Sequence, residues 1–542
     1  MSEARQGQER RELVPGVPLP DPRPRHPATE PRGTRLDAWW AAARTDPALD
    51  RAWRWGGPAL VLLVAAILRL QNLGTPGTLV FDETYYVKDA WTLAHLGYEG
   101  SWGAGADQAF ASGNPDVYSA APSFIAHPPL GKWLIALGEL ATGGGNPVGW
   151  RISTAIIGIL LVGVTMLLVR ILLRGTLLPV LAGGLLAIDG NAIVMSRVAL
   201  LDNSLALFAL LGALCVLRDR GAARRRLEAW VIARELAHRP TDWGPLLLWR
   251  PWLLLAGLAF GAATGVKWNG LYFLAVFAVF VVVSDMLARR RAGCGFWFSG
   301  TLLRQAPATF VLMVPLAALT YLATWTGWFL SSGGYDRNWI ADGNPAWTGP
   351  LAWVPPALQN WWQYQTAIYG FNVGESSPHS YAANPLTWLF LVRPTVMYYQ
   401  DLGDGTAAEI TGLANPLIWW AAVAALGFAA YRFVRSRDAA LGFILVGVAA
   451  GYLPWLLYLN RTVFQFYTIA FEPYLVLALA AALGYLLGTA SDPRDRRRVG
   501  LISVGAFLAA CVLLSVFFYP LWTGQAIPLW YLRLHYWLPT WI

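Results

Sequence analysis

Cysteine is scarce in this chain, and so is charge. Only 3 of the 542 residues are cysteine, and Cys215, Cys294 and Cys511 lie far apart, without zinc-ligand or paired-disulfide spacing. Charged side chains make up 13% of the residues, whereas a soluble domain usually has about 25%. The composition therefore excludes a disulfide-stapled scaffold and argues against a soluble domain.

Several functional motifs are also missing from the sequence. It has no Walker-type Gly-Lys-Ser/Thr loop, no dinucleotide fingerprint and no cluster of His and carboxylates with metal-ligand spacing. A nucleotide-driven pump is not expected, and no metal site is predicted, although carboxylates from separate loops stay open as ligands. The net charge is +9, but the basic residues cluster in short loops between apolar segments, so nucleic acid is not an expected partner.

The chain contains many long runs of hydrophobic residues. Hydrophobic residues make up 56% of it, and several runs reach the roughly 20 residues that a helix needs to cross a bilayer. No series of short alternating strands indicates a barrel. We predict an all-α, multi-pass membrane protein with eleven spans, at 55–72, 150–172, 177–190, 199–217, 252–266, 270–288, 306–329, 415–433, 439–459, 466–488 and 499–519.

Arginines in every second connection predict the direction of these spans. Because cytoplasmic loops are enriched in Lys and Arg, we expect the N-terminus inside and the C-terminus outside. The proline-rich residues 1–52 are predicted to be a disordered cytoplasmic tail, and 53–542 a membrane domain. The first long apolar run, 59–68, follows dozens of polar residues, so we expect a retained signal anchor.

With this orientation, two long loops, 73–149 and 330–414, are predicted to face outward. Loops of this length often carry functional residues. Within the first, the short apolar stretch 129–141 is predicted to be an interfacial or re-entrant helix, because counting it as a span would reverse every later loop.

The first outer loop carries the adjacent carboxylates Asp82 and Glu83. Repulsion between them and a membrane-proximal environment can raise one pKa enough to make a base near neutral pH, and Asp82 is the candidate. The alternative is a solvated loop or a helix start that favours acidic side chains. The same loop contains His127 and Lys132, and Lys132 could meet an anion or extend to the interface.

Lysine is rare among the basic residues of this chain. Among 41 Lys and Arg residues, only Lys88, Lys132 and Lys267 are lysines. All three fall on the predicted outer side, where a compact ammonium could be needed in place of a guanidinium fork.

A second group of charges lies at the outer membrane boundary, where burial is costly and marks functional candidates. A lipid phosphate is an anion that would suit these cations, whereas internal pairing, such as Arg197 with Asp202, is the alternative. The group comprises Arg69, Asp189, Arg197, Asp202, Lys267 and Arg461. The second outer loop adds His379, Tyr381 and Arg393 among many aromatics, a mixture that sugar sites need.

Seven motifs that contain these residues follow one another along the chain. Together they make the chain resemble the protein O-mannosyltransferase family (glycosyltransferase family 39), in its bacterial polyprenyl-phosphate-mannose-dependent branch. They cover nearly the whole chain after the N-terminal tail. They are Arg69 before Phe81-Asp82-Glu83, His127-Pro128-Pro129-Leu130-Gly131-Lys132, Ser196-Arg197 through Leu200-Leu201-Asp202, Val266-Lys267-Trp268-Asn269-Gly270, His379-Ser380-Tyr381, Asn415-Pro416 with Trp419-Trp420, and Arg461-Thr462-Val463-Phe464.

The resemblance implies an eleven-span GT-C glycosyltransferase fold in the cell membrane, with an extracytoplasmic active site. It implies inverting transfer of mannose from polyprenyl phosphate mannose to Ser/Thr hydroxyls of exported proteins, possible coupling to the secretion machinery, and Asp82 as general base. Arg69 and Arg197 match basic family positions, and Lys267, Arg393 and Arg461 are added as phosphate contacts.

The chain departs from the family pattern at three places. Its second outer loop is too short for the MIR domain of eukaryotic relatives, Ser380 stands where a proline is expected, and the Gly/Ala/Ser-rich stretch 98–123 enlarges the first loop. An enzyme that glycosylates a lipid or cell-wall glycan from the same kind of donor is the alternative. A secondary transporter is disfavoured because the polar groups gather at one face and no internal repeat is evident.

Overall fold

The fold is predominantly helical in the computed structural model, which describes residues 32–542. The helices are α1 Arg35–Ala43, α2 Pro47–Leu70, α3 Glu83–Leu96, α4 Ala106–Ala111, α5 Leu130–Thr142, α6 Pro147–Leu173, α7 Leu177–Ile188, α8 Gly190–Arg197, α9 Asp202–Leu236 and α10 Pro251–Val266. They continue with α11 Gly270–Arg291, α12 Trp297–Gly300, α13 Ala306–Thr324, α14 Thr326–Leu330, α15 Pro356–Gly374, α16 Pro416–Ser436, α17 Ala439–Tyr452, α18 Glu472–Leu487, α19 Arg494–Thr523 and α20 Leu529–Arg533.

Two small antiparallel sheets complete the secondary structure. Strands β1 Gly100–Trp102 and β2 Tyr118–Pro122 pair in the first outer loop. Strands β3 Thr395–Asp401, β4 Thr406–Gly412 and β5 Ile527–Pro528 form the second sheet, in the order β3-β4-β5. In residues 330–414, all of which the structure describes, two strands are too few for a β-trefoil domain.

Each of the eleven predicted apolar segments coincides with a helix. Among the described residues, seven helical stretches are long and apolar enough to cross a membrane, and a bent pair would make eight. The helices α10 and α18 are apolar but shorter, with 16 residues each. A multi-pass membrane protein is therefore established, while the number of eleven spans and the orientation of the termini stay predictions.

The bent pair is α7 and α8, which meet at 61°. Asp189 makes the break, because its carboxylate accepts hydrogen bonds from the backbone N–H groups of Asn191 (2.9 Å) and Asn415 (3.0 Å) in place of continuing the helix. Gly190 is required next to it, since an added Cβ would lie 2.0 Å from the ring of Trp522. The predicted span 177–190 is thus one straight helix followed by a turn of about 60°.

The predicted disorder of residues 1–52 is wrong for 35–43 and 47–52, which are helical, while residues 1–31 lie outside the described residues. Thr34 caps α1 in a capping box with Asp37. The Asp37 carboxylate then accepts a 2.7 Å hydrogen bond from Arg497 at the start of α19. Proline-rich composition misled the prediction because this local cap and a partner far along the chain stabilise the segment.

The connection 73–149, predicted to face outward, folds against itself around α3. A helix, α5, covers the stretch 129–141, and the stretch 98–123 supplies β1, α4 and β2. Lys88 on α3 forms a 2.6 Å ion pair with Asp107 on α4, and Trp91 donates a 3.0 Å hydrogen bond to Asp116. The stretch therefore braces the helix that follows Asp82.

Candidate active site

Asp82 immediately precedes α3, at the position where a carboxylate usually caps a helix. Here the side chain makes no capping hydrogen bond to the helix backbone. Its carboxylate instead accepts a hydrogen bond from the Tyr86 hydroxyl, one helical turn on, at 3.3 Å. A half-buried carboxylate that is not committed to the helix can accept a proton from a substrate.

Burial raises the pKa of Asp82 to about 6. The Lys267 ammonium opposes this increase, and the Asp202 carboxylate adds to it. Of the two causes predicted from the sequence, repulsion from Glu83 and a membrane-proximal environment, loss of water on burial is the one that raises the pKa most. A carboxylate with this pKa is ionised at neutral pH and still basic enough to take up a proton.

Glu83 has a different environment from its neighbour. It is fully buried and forms two hydrogen bonds with Arg151, at 2.8 and 2.7 Å. Its carboxylate also accepts from the backbone N–H groups of Val80 (3.0 Å) and Ala199 (2.8 Å). Both oxygens of Glu83 are thus occupied inside the protein, an arrangement that suits positioning of the Asp82 loop, and its catalytic role stays a prediction.

Phe81 adopts a left-handed backbone conformation, with φ of 50°, which is rare for a bulky side chain. This conformation turns its ring against Phe464 and Phe466, with centroid distances of 5.6 and 5.7 Å, and against His379 at 6.1 Å. Strain of this kind persists only where the surroundings impose it, and it is found mainly at functional sites. The predicted candidate His379 thus lies beside the Asp82 loop.

Lys267 follows the last turn of α10 and Asp202 begins α9. Their side chains form a buried 2.7 Å ion pair. The ammonium also lies 4.7 Å from the ring centroid of Tyr467. The sequence-based pairing of Asp202 with Arg197 is thus wrong, and the pair that acts on Asp82 is Lys267 with Asp202.

Two further candidates lie in the same electrostatic environment. Burial lowers the pKa of His127 well below its ordinary value, and Lys267 and Arg461 lower it further. The imidazole is therefore neutral near neutral pH. The ring of His127 lies 6.1 Å from that of Tyr86, which contacts Asp82.

Arg461 keeps donors available. One terminal nitrogen donates to Asn372 Oδ1 at 2.8 Å, and the guanidinium lies 5.7 Å from the ring centroid of Trp455. Within residues 32–542, the buried Nε of Arg461 has no hydrogen-bond partner. An unpartnered charged donor costs free energy, so an anion at this position would be favourable.

Arg69, which is predicted to contact the donor phosphate, has internal hydrogen-bond partners. It is fully buried, and its Nε donates to Ser196 Oγ at 3.1 Å. Its terminal nitrogens donate to the backbone carbonyls of Ala187 (2.9 Å) and Leu186 (3.3 Å), at the last turn of α7. These carbonyls lack helical partners, so Arg69 holds the bent pair together.

Arg197 is likewise occupied. It donates to the carbonyls of Arg69 (3.1 Å), Gln71 (2.7 Å) and Asn72 (3.0 Å), at the end of α2. Arg197 therefore caps the end of α2, and its donor-phosphate role stays a prediction. Asp189 caps the start of α8, and its place among the site candidates stays a prediction as well.

The other predicted cations also have internal partners. Lys132 is buried between Glu99 (2.6 Å) and Asp89 (3.3 Å), so it secures α5 to α3. Arg393 donates to the carbonyl of Ser380 at 2.8 Å and to that of Ile542 at 2.9 Å. Its guanidinium lies 5.0 Å from the ring centroid of Tyr381. Arg393 and Tyr381 therefore hold the C-terminal tail against the second outer loop.

Sequence reasoning missed Tyr86, Arg151 and Tyr467. Tyr86 follows Asp82 by four residues on a helix, a spacing that brings side chains together. Arg151 is a charge at the edge of an apolar segment, which is itself a signal of a partner. Tyr467 carried no such signal, because only the fold brings it under Lys267. Within residues 32–542, no three His, Cys, Asp or Glu side chains are grouped to hold a metal ion.

Replacing Glu83 tests its positioning role. Glu83→Gln leaves Arg151 buried without its carboxylate, and we expect the free energy of unfolding to fall by about 3–5 kcal/mol. Denaturant unfolding of the purified protein in detergent measures the loss. Glu228→Gln, which breaks an exposed pair with Arg224, is the control and should change it by less than about 1 kcal/mol. Wild-type stability of Glu83→Gln together with lost turnover would return Glu83 to a chemical role.

Two family models match this chain. Residues 59–324 match the family model described as dolichyl-phosphate-mannose-protein mannosyltransferase. Residues 357–541 match the model of the C-terminal four-transmembrane region of protein O-mannosyltransferase. Both parts of the chain therefore match models of one family.

Whole-chain relatives extend the match. A polyprenol-phosphate-mannose–protein mannosyltransferase of Mycolicibacterium smegmatis (strain MKD8) is 35% identical, covering 91% of this chain and 94% of the relative. The protein of the same name from Mycobacterium tuberculosis (strain CDC 1551 / Oshkosh) is 34% identical, covering 91% and 93%.

A solved structure has the same fold. It is the Saccharomyces cerevisiae protein O-mannosyltransferase Pmt1-Pmt2 complex bound to the sugar donor, with a TM-score of 0.68 at 15% identity, covering 94% of this chain and 95% of that one. With two family models and relatives along its whole length, the chain belongs to the protein O-mannosyltransferase family of membrane glycosyltransferases.

Proposed function

We propose that this protein transfers mannose from polyprenyl phosphate mannose to Ser/Thr hydroxyls of exported proteins. The relatives are named polyprenol-phosphate-mannose–protein mannosyltransferases, which supports the donor and the class of acceptor. The observation that carries the proposal is the half-buried Asp82, with a pKa of about 6, near the Lys267–Asp202 pair. This arrangement suits removal of a proton from a hydroxyl.

The proposed reaction is a single displacement with inversion. The acceptor oxygen attacks C1 of mannose on the face opposite the lipid phosphate, and its proton passes to the Asp82 carboxylate. The bond between C1 and the phosphate oxygen breaks, and its electron pair leaves with the phosphate. A β-linked donor therefore gives an α-mannoside on the protein.

The leaving phosphate gains negative charge, which nearby cations would stabilise. Arg461 is our candidate contact because its Nε is buried and unpartnered within the described residues. Lys267 adds a second cation, although Asp202 balances its charge. His127, neutral near neutral pH, can exchange a hydrogen bond with the donor without adding charge.

The extracytoplasmic location is supported by the two ends of α11. Gly270, at its start, comes three residues after Lys267, and three arginines occupy its last turn. Its 22 residues span about 33 Å, close to the thickness of a bilayer core. If the arginine end lies in the cytoplasm, as the positive-inside rule predicts, Asp82 acts outside the plasma membrane.

An extracytoplasmic site would receive acceptors during export. We therefore extend the proposal to coupling with the secretion machinery, because unfolded Ser/Thr-rich segments expose hydroxyls that folding can later cover. The half-buried rings of Phe81 and Phe464 provide an apolar surface for such segments.

Asp82→Asn tests the proposed base. The amide cannot take up the proton, and we expect turnover to fall by about 10²–10⁴-fold while membrane insertion is retained. The assay uses purified enzyme, polyprenyl phosphate mannose and a Ser/Thr-rich exported peptide, with Asp342→Asn in the second outer loop as control. Near-normal turnover of Asp82→Asn would remove Asp82 from the role. Mannose on a glycolipid alone would favour the alternative acceptor class.

The pH dependence of turnover follows from the same group. Because the base must be ionised and the pKa of Asp82 is raised to about 6, kcat should be level above that value. Below it kcat should fall about tenfold per pH unit as the carboxylate becomes protonated. Rates at saturating donor and acceptor, measured at pH values on either side, test this. A profile that is flat down to the ordinary pKa of an aspartate would contradict it.

Arg461→Gln tests the phosphate contact. Loss of one charge-assisted hydrogen bond should raise KM for the donor by about 10–100-fold while thermal stability is kept. Arg197→Gln should mainly lower thermal stability, because Arg197 caps α2. The exposed Arg533→Gln is the matched control on the same side. An unchanged donor KM in Arg461→Gln would exclude the contact.

A further inference from the structure

A large cavity lies far from Asp82, at the opposite end of α11. Its volume is about 990 Å³, and α6, α9, α11, α16 and α17 contribute to its wall. Mannose transfer as proposed above makes no use of it, because Lys267 and Asp82 belong to the other end of α11.

The cavity is strongly basic. The arginines in its wall are Arg220, Arg224, Arg289, Arg290, Arg291 and Arg437. The lining carboxylates, Asp285 and Glu228, are already engaged. Asp285 pairs with Arg250, which does not line the cavity, and Glu228 pairs with Arg224 at 2.7 Å. A net positive charge is therefore left within the cavity.

Five of these six arginines, all except Arg224, have no carboxylate oxygen within 4.0 Å in residues 32–542. Arg289 donates to the backbone carbonyls of Trp243 and Pro245, and Arg290 lies against the ring of Trp297, which leaves Arg220, Arg291 and Arg437. Arg220 is half-buried and lies 5.8 Å from the ring centroid of Phe280. Arg291 and Arg437 are exposed and lie on different helices, α11 and the end of α16. Like charges converge here without the carboxylates that would balance them.

The remaining wall is apolar. Leu217, Phe280, Val283, Phe433 and Val446 line the cavity together with the arginines. A soluble anion would use the guanidinium groups and leave this surface in contact with water. A ligand with a phosphate at one end and hydrocarbon at the other would match both parts.

We propose that this cavity binds an anionic phospholipid, with its phosphate against Arg220, Arg291 and Arg437 and its acyl chains along the apolar wall. By the positive-inside rule the lipid belongs to the cytoplasmic leaflet, opposite the leaflet of the active site. The site is separate from the mannose-transfer site, so its test does not depend on activity. A basic cleft between membrane helices is a recurrent type of lipid-binding site.

Native mass spectrometry of the full-length protein tests the proposal. The protein in detergent is titrated with phosphatidylglycerol, with phosphatidylcholine and with inorganic phosphate. We expect one phosphatidylglycerol to be retained, phosphatidylcholine to be retained poorly, and excess phosphate to displace little of the bound lipid.

Variants locate the site. The combined change Arg220→Gln, Arg291→Gln and Arg437→Gln should weaken phosphatidylglycerol binding by about 100-fold, at roughly fivefold per charge. The matched control, Arg435→Gln with Arg494→Gln and Arg498→Gln, removes three exposed arginines that are outside the cavity but, by the positive-inside rule, on the same side of the membrane. Arg437→Gln alone changes an exposed residue at little risk to folding, and it should weaken binding about fivefold.

Four results would overturn the proposal. Equal retention of phosphatidylcholine would remove the requirement for an anionic headgroup. Equal loss in the cavity variant and its control would assign binding to general surface charge, and unchanged binding in both would place the lipid elsewhere. Displacement by inorganic phosphate alone would make the cavity a simple anion site. Mannosyl transfer measured on the same samples keeps a failure here distinct from a failure of the proposed reaction.

Discussion

The buried ion pair between Glu83 and Arg151 is the interaction on which the candidate active site depends. Arg151 lies near the start of α6 and donates to both oxygens of Glu83. It also donates to the carbonyls of Pro76 (2.7 Å) and Thr78 (3.0 Å), in the connection that leads from α2 to Asp82. The pair therefore joins both sides of the Asp82 loop to one membrane helix.

This anchoring explains why two adjacent carboxylates differ in role. Glu83 accepts two hydrogen bonds from Arg151 and one each from the N–H groups of Val80 and Ala199. Asp82 accepts one hydrogen bond, from the Tyr86 hydroxyl. Burial with few compensating donors raises the pKa of a carboxylate. The raised pKa of Asp82 therefore follows from its own burial, whereas Glu83 is held in place by four hydrogen bonds.

The positions of the membrane helices could be predicted from the sequence because long runs of hydrophobic residues are sufficient to identify them. All eleven apolar segments became helices, and Asp82, Lys267 and Arg461 were identified from their motifs and their place at a membrane boundary. The bend at Asp189 could not be predicted, since it needs the N–H group of Asn415, over two hundred residues away. The internal partners of Arg69 and Arg197 could not be predicted for the same reason: most of them are backbone carbonyls, which no side-chain pattern reveals.

Arginine and lysine are used differently in this chain, and the difference bears on the site. Arg69, Arg151 and Arg197 donate to several carbonyls at once, a task that a planar guanidinium with five N–H groups performs well. The lysines instead pair with carboxylates: Lys88 with Asp107, Lys132 with Glu99 and Lys267 with Asp202. The three lysines on the predicted outer side therefore add little net charge.

Because these charges are balanced, Arg461 is the cation that remains to compensate the negative charge of a bound lipid phosphate. The Lys267–Asp202 pair is close to neutral as a unit, so it can moderate the pKa of Asp82 without protonating the base or attracting an anion strongly. His127 is neutral as well. A lipid phosphate entering beside Asp82 brings negative charge that would raise the pKa of the base further unless a cation compensates. Among the candidates at this site, Arg461 has a buried donor left to do so, which couples donor binding to the basicity of Asp82 through one guanidinium.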